Sequence, residues 1–261
     1  MEFPPKAIGI SNALKIFRFK VRFTYLGDIL VLMPTTEANK AVIFDLDGTL
    51  VHSSIDYEEM RKRVIEIIST TGVSTEGLSQ SRRIWEIIQG SERALEEVGL
   101  SKDIRELLLK RINAALNEVE LQALETVEPI RNALQTLQSL RSHGFKIGIA
   151  TRGCKDYAIR SLEKTGLNVY VDVMLARDDV KHPKPDPRHL LDVVEALGCP
   201  IDRVIYIGDT TTDLSTAQAA HIAFIGFLRN DEWGKRLRDA GCSVLIDDLL
   251  ILVEIANNKI K

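Results

Sequence analysis

Between Pro129 and Ile246 the chain alternates short apolar runs with helical stretches, and that order constrains its fold more than any other feature. The runs are Phe145–Ala150, Val169–Leu175, Arg203–Ile207, Ile222–Gly226 and Ser243–Ile246. Helices are predicted between them at Lys155–Thr165, stopping before Gly166, and at Pro187–Leu197, closed by Gly198. Two more are predicted at Asp213–Ala220 and Asp231–Ala240. Upstream, Pro129–Ser142 carries Ile130, Ala133, Leu134, Leu137 and Leu140 at helical spacing, with Pro129 suited to a first helical turn. Ala41-Val42-Ile43-Phe44 is one further strand. Strands alternating with helices predict an α/β fold, a Rossmann-like parallel sheet with helices on both faces. In such sheets ligands bind beyond the carboxyl ends of the strands.

The residues able to do chemistry fall at those ends. Asp45-Leu46-Asp47-Gly48-Thr49 follows the first strand, Thr151 the second, and Gly208-Asp209-Thr210-Thr211-Thr212-Asp213 a third. Two carboxylates at i and i+2 on a buried strand end resist joint ionisation, and a cation or a held proton relieves that cost. Gly48 permits a sharp turn and a close approach of backbone to an anion. Lys184 stands in Lys181-His182-Pro183-Lys184-Pro185-Asp186-Pro187, where flanking prolines restrict its backbone and let the ammonium be aimed. Taken singly, each has a plainer reading: a capped turn for the aspartates, a helix cap for Thr151 and Asp213, an exposed loop for Lys184. Four such signals in order on the strand ends make one strong signal.

With these four motifs, from about Lys40 to the C-terminus, the chain resembles the haloacid dehalogenase superfamily in its phosphatase branch, the phosphoglycolate phosphatase-like members with a helical cap. The resemblance implies that Asp45 is a nucleophile forming an aspartyl-phosphate, and that Asp47 is general acid and then general base. It implies that Thr151 and Lys184 hold phosphate oxygens, in a substrate seat with Gly48, Thr49, Arg152 and Gly153. Mg²⁺ would be held by Asp45, Asp209 and the Asp47 main-chain carbonyl, with Asp213 either a ligand or a support behind the ligands. An aspartate at Asp47 supplies a proton for an alkoxide leaving group, favouring phosphate esters over halides. Two positions depart from the family pattern. Arg152 stands where Asn is common and reads equally as an anion contact or a solvated charge. His221 stands where glycine is usual, which predicts a helix end built differently.

Between Thr49 and Thr151 lies far more chain than the dozen or so residues a crossover needs. Residues 55–126 read as helices only, with stripes Tyr57, Met60, Val64, Ile67; Ile84, Trp85, Ile88; and Ile104, Leu107, Leu108, Ile112, Ala115, Leu116, Val119. This resembles the small all-α cap inserted after the first strand in such enzymes, which closes over the site and selects the leaving group. Arg61, Arg63, Arg82 and Arg83 are its candidate substrate contacts. The expected division is therefore a core of residues 40–54 and 127–261, a cap of 55–126, and an extension of 1–39. In that extension Phe17, Phe19, Val21, Phe23 and Tyr25 alternate with polar residues as in a strand, readable as an appended strand or hairpin, an interaction arm, or sequence foreign to the natural protein.

The remaining expectations come from composition. A net charge of −3 leaves no footprint for nucleic acid. Cys154, Cys199 and Cys242 lack metal-ligand spacing and point to a reducing, cytoplasmic setting. No apolar run reaches spanning length and no signal peptide pattern is present, which predicts no membrane partner. The expected activity is Mg²⁺-dependent hydrolysis of small phosphomonoesters, phosphoglycolate-like or sugar phosphates, by a monomer or homodimer. The alternatives are a phosphomutase of the β-phosphoglucomutase type and a non-catalytic binding protein with this fold.

Overall fold

The structure, a computed structural model, describes residues 21–26, 29–34, 39–73 and 83–260. It divides into two units, Met1–Asn39 and Lys40–Lys261. In the first, strands β1 (Val21–Leu26) and β2 (Ile29–Pro34) pair antiparallel, Val21 opposite Pro34 and Leu26 opposite Ile29. The alternation predicting a strand from Phe17 falls partly on residues 17–20, outside the described ones; of the readings given for the extension, the hairpin matches the antiparallel pairing of β1 with β2.

In the second unit β3 (Lys40–Phe44) and β4 (Val51–His52) lead into helices α1 (Tyr57–Ser69), α2 (Ile84–Glu97) and α3 (Lys102–Gln122). A 3-10 turn, Ala123–Thr126, returns the chain through β5 (Glu128–Pro129) to α4 (Ala133–Ser142) and β6 (Phe145–Ala150). Next come α5 (Lys155–Thr165), β7 (Val173–Leu175), α6 (Arg188–Leu197), β8 (Val204–Gly208) and α7 (Thr211–Ala219). The chain finishes with β9 (Ala223–Phe227), α8 (Asp231–Asp239), β10 (Leu245–Ile246) and α9 (Leu249–Lys259).

Six strands form one parallel sheet in the order β10-β9-β8-β3-β6-β7. The chain builds outward from β3 through β6 to β7, then returns to β3's other side for β8. The order therefore reverses beside β3, and the tips of β3, β6 and β8 end side by side at the switch point where open α/β sheets bind ligands. The strands are near-continuous apolar runs because both faces are covered. Successive side chains point to opposite faces. Val42, Phe44, Ile147, Ile149, Ile205 and Ile207 pack in one cluster with residues of α4, α5 and α9. Ala41, Ile43, Val204 and Tyr206 pack in another with Leu190, Val193 and Leu197 of α6 and Ala217 of α7. Helices α1 to α3, inserted after the first strand of the sheet, share a separate core of Met60, Val64, Ile68, Ile87, Leu95, Leu108, Ile112, Leu116 and Val119.

Several local expectations need correction. Pro129 does not open α4; it pairs with Val51 in a small antiparallel ribbon, and Asn132 at φ 64° turns the chain into the helix. The strand predicted over Val169–Leu175 begins as a 3-10 turn, Asn168–Tyr170, with Val169 exposed, and only Val173–Leu175 joins the sheet. In the inserted helices Ile87 is buried rather than its predicted neighbours, and Ile104 and Leu107 face solvent, the seam of α3 starting at Leu108. His221 adopts the left-handed conformation, φ 56°, that its bulk was expected to avoid. Its N–H bonds the Gln218 carbonyl and that of Ile222 the Ala217 carbonyl, so α7 ends in the left-handed closure that glycine usually makes.

Candidate active site

Asp45 follows the tip of β3, its N–H bonded to the Ile207 carbonyl of β8 at 2.9 Å, which sets its backbone against the neighbouring strand. The chain then turns at Gly48, φ 86°. A Cβ there would lie 2.4 Å from Asp209 Oδ2, so only glycine admits the Asp209 carboxylate to this turn. Asp209 leaves β8 and Thr210 caps α7, its hydroxyl accepting from the Asp213 N–H while Asp213 bonds back to the Thr210 N–H. That reciprocal cap turns Asp213 in towards Lys184.

Lys184 reaches the same point from the loop before α6. Its Nζ donates to Asp45 Oδ1, Asp213 Oδ1 and the Tyr206 hydroxyl, each at 2.7 Å, and the residue is 2% exposed. His189, fully buried, holds that loop: its Nδ1 accepts the Lys184 N–H at 3.2 Å and its Nε2 lies 3.0 Å from the Leu175 carbonyl. That pairing makes Nε2 the protonated nitrogen of a neutral ring. Tyr206 also donates to Asp213 Oδ1. Both oxygens of Asp213 are thus taken up by Lys184, Tyr206 and Thr210.

Asp45, Asp209 and Asp213 can each bring one oxygen within 4.8 Å of the others, the one such acidic group among the described residues. Neither oxygen of Asp209 has a hydrogen-bond partner although the residue is fully buried; the nearest cation is Arg229, Nη1 3.6 Å from Oδ2. An ionised carboxylate stranded in this way is costly, and a hard cation with oxygen ligands resolves it. The donor set therefore fits Mg²⁺. Asp47 stands apart from the group: its Oδ1 accepts from Ser53 Oγ at 2.9 Å and the Tyr157 hydroxyl at 2.5 Å.

The electrostatics divide these acids. Burial, only partly countered by Lys184, pushes Asp45 up to about 7. Asp209 is driven well above the usual carboxylate range by burial and then by the charges of Asp45 and Asp213. Burial also raises Asp47, against its bonds from Tyr157 and Ser53. Burial would raise Asp213 too, but the adjoining Lys184 ammonium prevails and lowers it. For Lys184, burial is outweighed by Asp213 and Asp45, and it stays firmly charged.

Thr151, at the tip of β6, accepts the Gly153 N–H on Oγ1 at 3.0 Å, which leaves its own proton to donate. Thr49 is fully buried with its hydroxyl unpartnered. The Arg152 carbonyl accepts from Arg177, and the Arg152 charge acts on the Tyr57 phenol. Crowding and then the charge of Asp47 raise that phenol above its ordinary range, with Asp45 and Asp209 adding, although Tyr57 as a whole is 47% exposed. The phenol of the first residue of α1 is therefore near enough to feel the charges of the site. Arg83, before α2, donates to Thr211 Oγ1 at 2.6 Å, a bond from the start of the inserted α2 to the first residue of α7. Arg63 instead pairs with Glu59 and Glu118 within the inserted helices, Arg61 pairs with Glu58, and Arg82 lies outside the described residues.

Sequence reasoning passed over Ser53, Tyr157, His189, Tyr206 and Arg229. Only Tyr206 and His189 left a signal: a hydroxyl inside an otherwise apolar strand, and an imidazole on the buried face of α6.

Residues 42–227 match the family described as haloacid dehalogenase-like hydrolase. A relative in Thermotoga maritima, a phosphorylated carbohydrates phosphatase, is 32% identical over 79% of this chain and 94% of its own. A phosphoglycolate phosphatase of Agrobacterium fabrum is 29% identical over 74% of this chain and 82% of its own. Among solved structures, a hydrolase from Pseudomonas syringae superposes with a TM-score of 0.57 at 24% identity, covering 85% of this chain and all of the other.

Proposed function

The chain belongs to the haloacid dehalogenase-like hydrolase family, and from that premise we propose that it is a Mg²⁺-dependent phosphatase of small phosphomonoesters working through an aspartyl-phosphate on Asp45. The observation that carries the reading is the convergence of one ammonium and three carboxylates. Lys184 Nζ lies 2.7 Å from both Asp45 and Asp213, and Asp209 beside them has no hydrogen-bond partner. The relatives acting on phosphorylated carbohydrates and phosphoglycolate support small phosphate esters as substrates.

Each residue then has a role that its surroundings support. Lys184 offsets part of the burial that raises Asp45 and, with the Thr151 hydroxyl, draws phosphate oxygens towards it. Asp45 and Asp209, with the Asp47 carbonyl, would hold the cation; Asp213, its oxygens already engaged, aims Lys184. The charge supplied by bound Mg²⁺ offsets the repulsion between a phosphate dianion and an anionic nucleophile. Asp47, kept protonated, gives its proton to the departing ester oxygen and later takes one from the attacking water. The inserted helices, through Tyr57 and Arg83, limit which leaving groups reach Asp47. No nucleic acid or membrane enters this reading. Among the described residues no helix is long and apolar enough to cross a membrane.

The test is release of free phosphate from a panel of sugar phosphates, phosphoglycolate and other monoesters with Mg²⁺. Hydrolysis that disappears in Asp45→Asn supports the proposal. Turnover that survives in that variant, or isomerisation without phosphate release, overturns it.

A further inference from the structure

We infer that Tyr157 is a positioning residue for Asp47, fixing which carboxyl oxygen handles the proton; the inference rests on the acid–base role proposed above. Oδ1 of Asp47 receives two donors, Ser53 Oγ at 2.9 Å and the Tyr157 hydroxyl at 2.5 Å. Two donors occupy both lone pairs of that oxygen. Oδ2 takes no hydrogen bond from the described residues and is the oxygen left to carry the proton. A carboxylic acid held in this way accepts at its carbonyl oxygen and donates from its hydroxyl, so the two bonds also select the rotamer that offers the proton to substrate.

Tyr157 is built to hold that position. It is fully buried, on the first turn of α5, and its ring lies beneath the turn that carries Thr151. A Cβ on Gly153 would sit 3.1 Å from Tyr157 Cδ1 and 3.4 Å from Thr151 Oγ1, so the bare glycine lets the ring seat under the turn. The start of α5 is anchored in turn, the Cys154 N–H donating to buried Glu120 at 2.8 Å. One side chain thus links the phosphate-side turn to the acid. A tyrosine buried only for packing would satisfy its hydroxyl anywhere; this one spends it on the proton donor.

The protons balance as follows. While the Asp45 carboxylate forms its bond to phosphorus and the ester P–O bond breaks, the proton on Asp47 Oδ2 passes to the departing oxygen and the alcohol leaves. Water then attacks phosphorus, the Asp45–phosphorus bond breaks, and Oδ2 recovers a proton from that water as phosphate is freed.

Tyr157→Phe keeps the ring and removes the donor. Its kcat/KM, which covers steps up to departure of the first product, is measured with an alkyl phosphate and with p-nitrophenyl phosphate, whose leaving group needs no proton. General acid catalysis is worth about 10²–10⁴-fold, so losing its alignment is expected to lower kcat/KM for the alkyl ester by about tenfold or more. The nitrophenyl ester should stay within about twofold. An equal fall for both esters, as from loosened packing, or a fall for neither, overturns the inference. Asp47→Asn is the control: it should discriminate between the esters more strongly than Tyr157→Phe. If Asp47→Asn does not discriminate, the acid–base reading of Asp47 itself fails, and this inference fails with it.

Discussion

Acid should weaken this protein through His189. The ring is fully buried and neutral, and burial, then the Lys184 charge, pushes it down to about 4. Its ordinary value in an unfolded chain is about 6.5. Above that pH both states are neutral and His189 makes no pH-dependent difference. As pH falls from about 6.5 towards 4 the unfolded chain binds a proton that the native ring refuses, so native stability declines. The loss works out at about 1 kcal/mol at pH 5.5 and levels at about 3 kcal/mol at and below pH 4. Other carboxylates titrate in the same range, so the measurement is a difference: urea unfolding of the wild type and of His189→Asn at several pH values from 7.5 to 4.5. The variant loses a constant amount from the broken Lys184 and Leu175 contacts, and the gap between the two proteins should shrink with acid along the curve above. Parallel pH profiles would refute the argument, showing that the imidazole titrates normally or that the loop relaxes around its charge.

Three further outcomes follow from the same structure. Mg²⁺ at about a hundred times its dissociation constant should stabilise the native state by about 2.7 kcal/mol, raising Tm; in Asp209→Asn the metal-free protein should melt higher than wild type and show no Mg²⁺ shift, by scanning calorimetry. Gly48→Ala, with its Cβ 2.4 Å from Asp209 Oδ2 at a left-handed φ, should cost about 1 kcal/mol or more in stability and weaken Mg²⁺ binding in a calorimetric titration; unchanged affinity would contradict the placement of Asp209. Arg177 pairs with buried Glu120 at 2.7 Å, so Arg177→Met should cost about 3–5 kcal/mol in urea unfolding by stranding that carboxylate, and adding Glu120→Leu should recover much of it.

The core was legible because both faces of its sheet are covered, which makes Ala41–Phe44, Phe145–Ala150 (Lys146 apart) and Val204–Gly208 near-continuous apolar runs followed by polar residues. The sheet order then brings Asp45, Thr151 and Asp209 to adjacent tips, and the proline-framed Lys184 meets them. What stayed hidden depends on packing in three dimensions. The site's Tyr157 sits on a helix whose sequence marks only an ordinary buried position, and its bond to Asp47 spans distant parts of the chain. α9 was overlooked because Leu249-Leu250-Ile251-Leu252-Val253 has no polar face to reveal a helical period. The ribbon of β4 and β5 pairs two residues with two, too short to leave an alternation, so Pro129 read as a helix start. Within α3 the predicted stripe ran one turn too far because apolar Ile104 and Leu107 match the period while facing solvent.

The most direct test of the account is a rapid acid quench of enzyme, Mg²⁺ and substrate, followed by borohydride reduction and peptide mass spectrometry. An acyl phosphate on Asp45 would be reduced there to homoserine, and the account predicts that change at Asp45 alone, absent when substrate is omitted. Reduction at another carboxylate, or brisk phosphate release with Asp45 unmodified at every quench time, would contradict it.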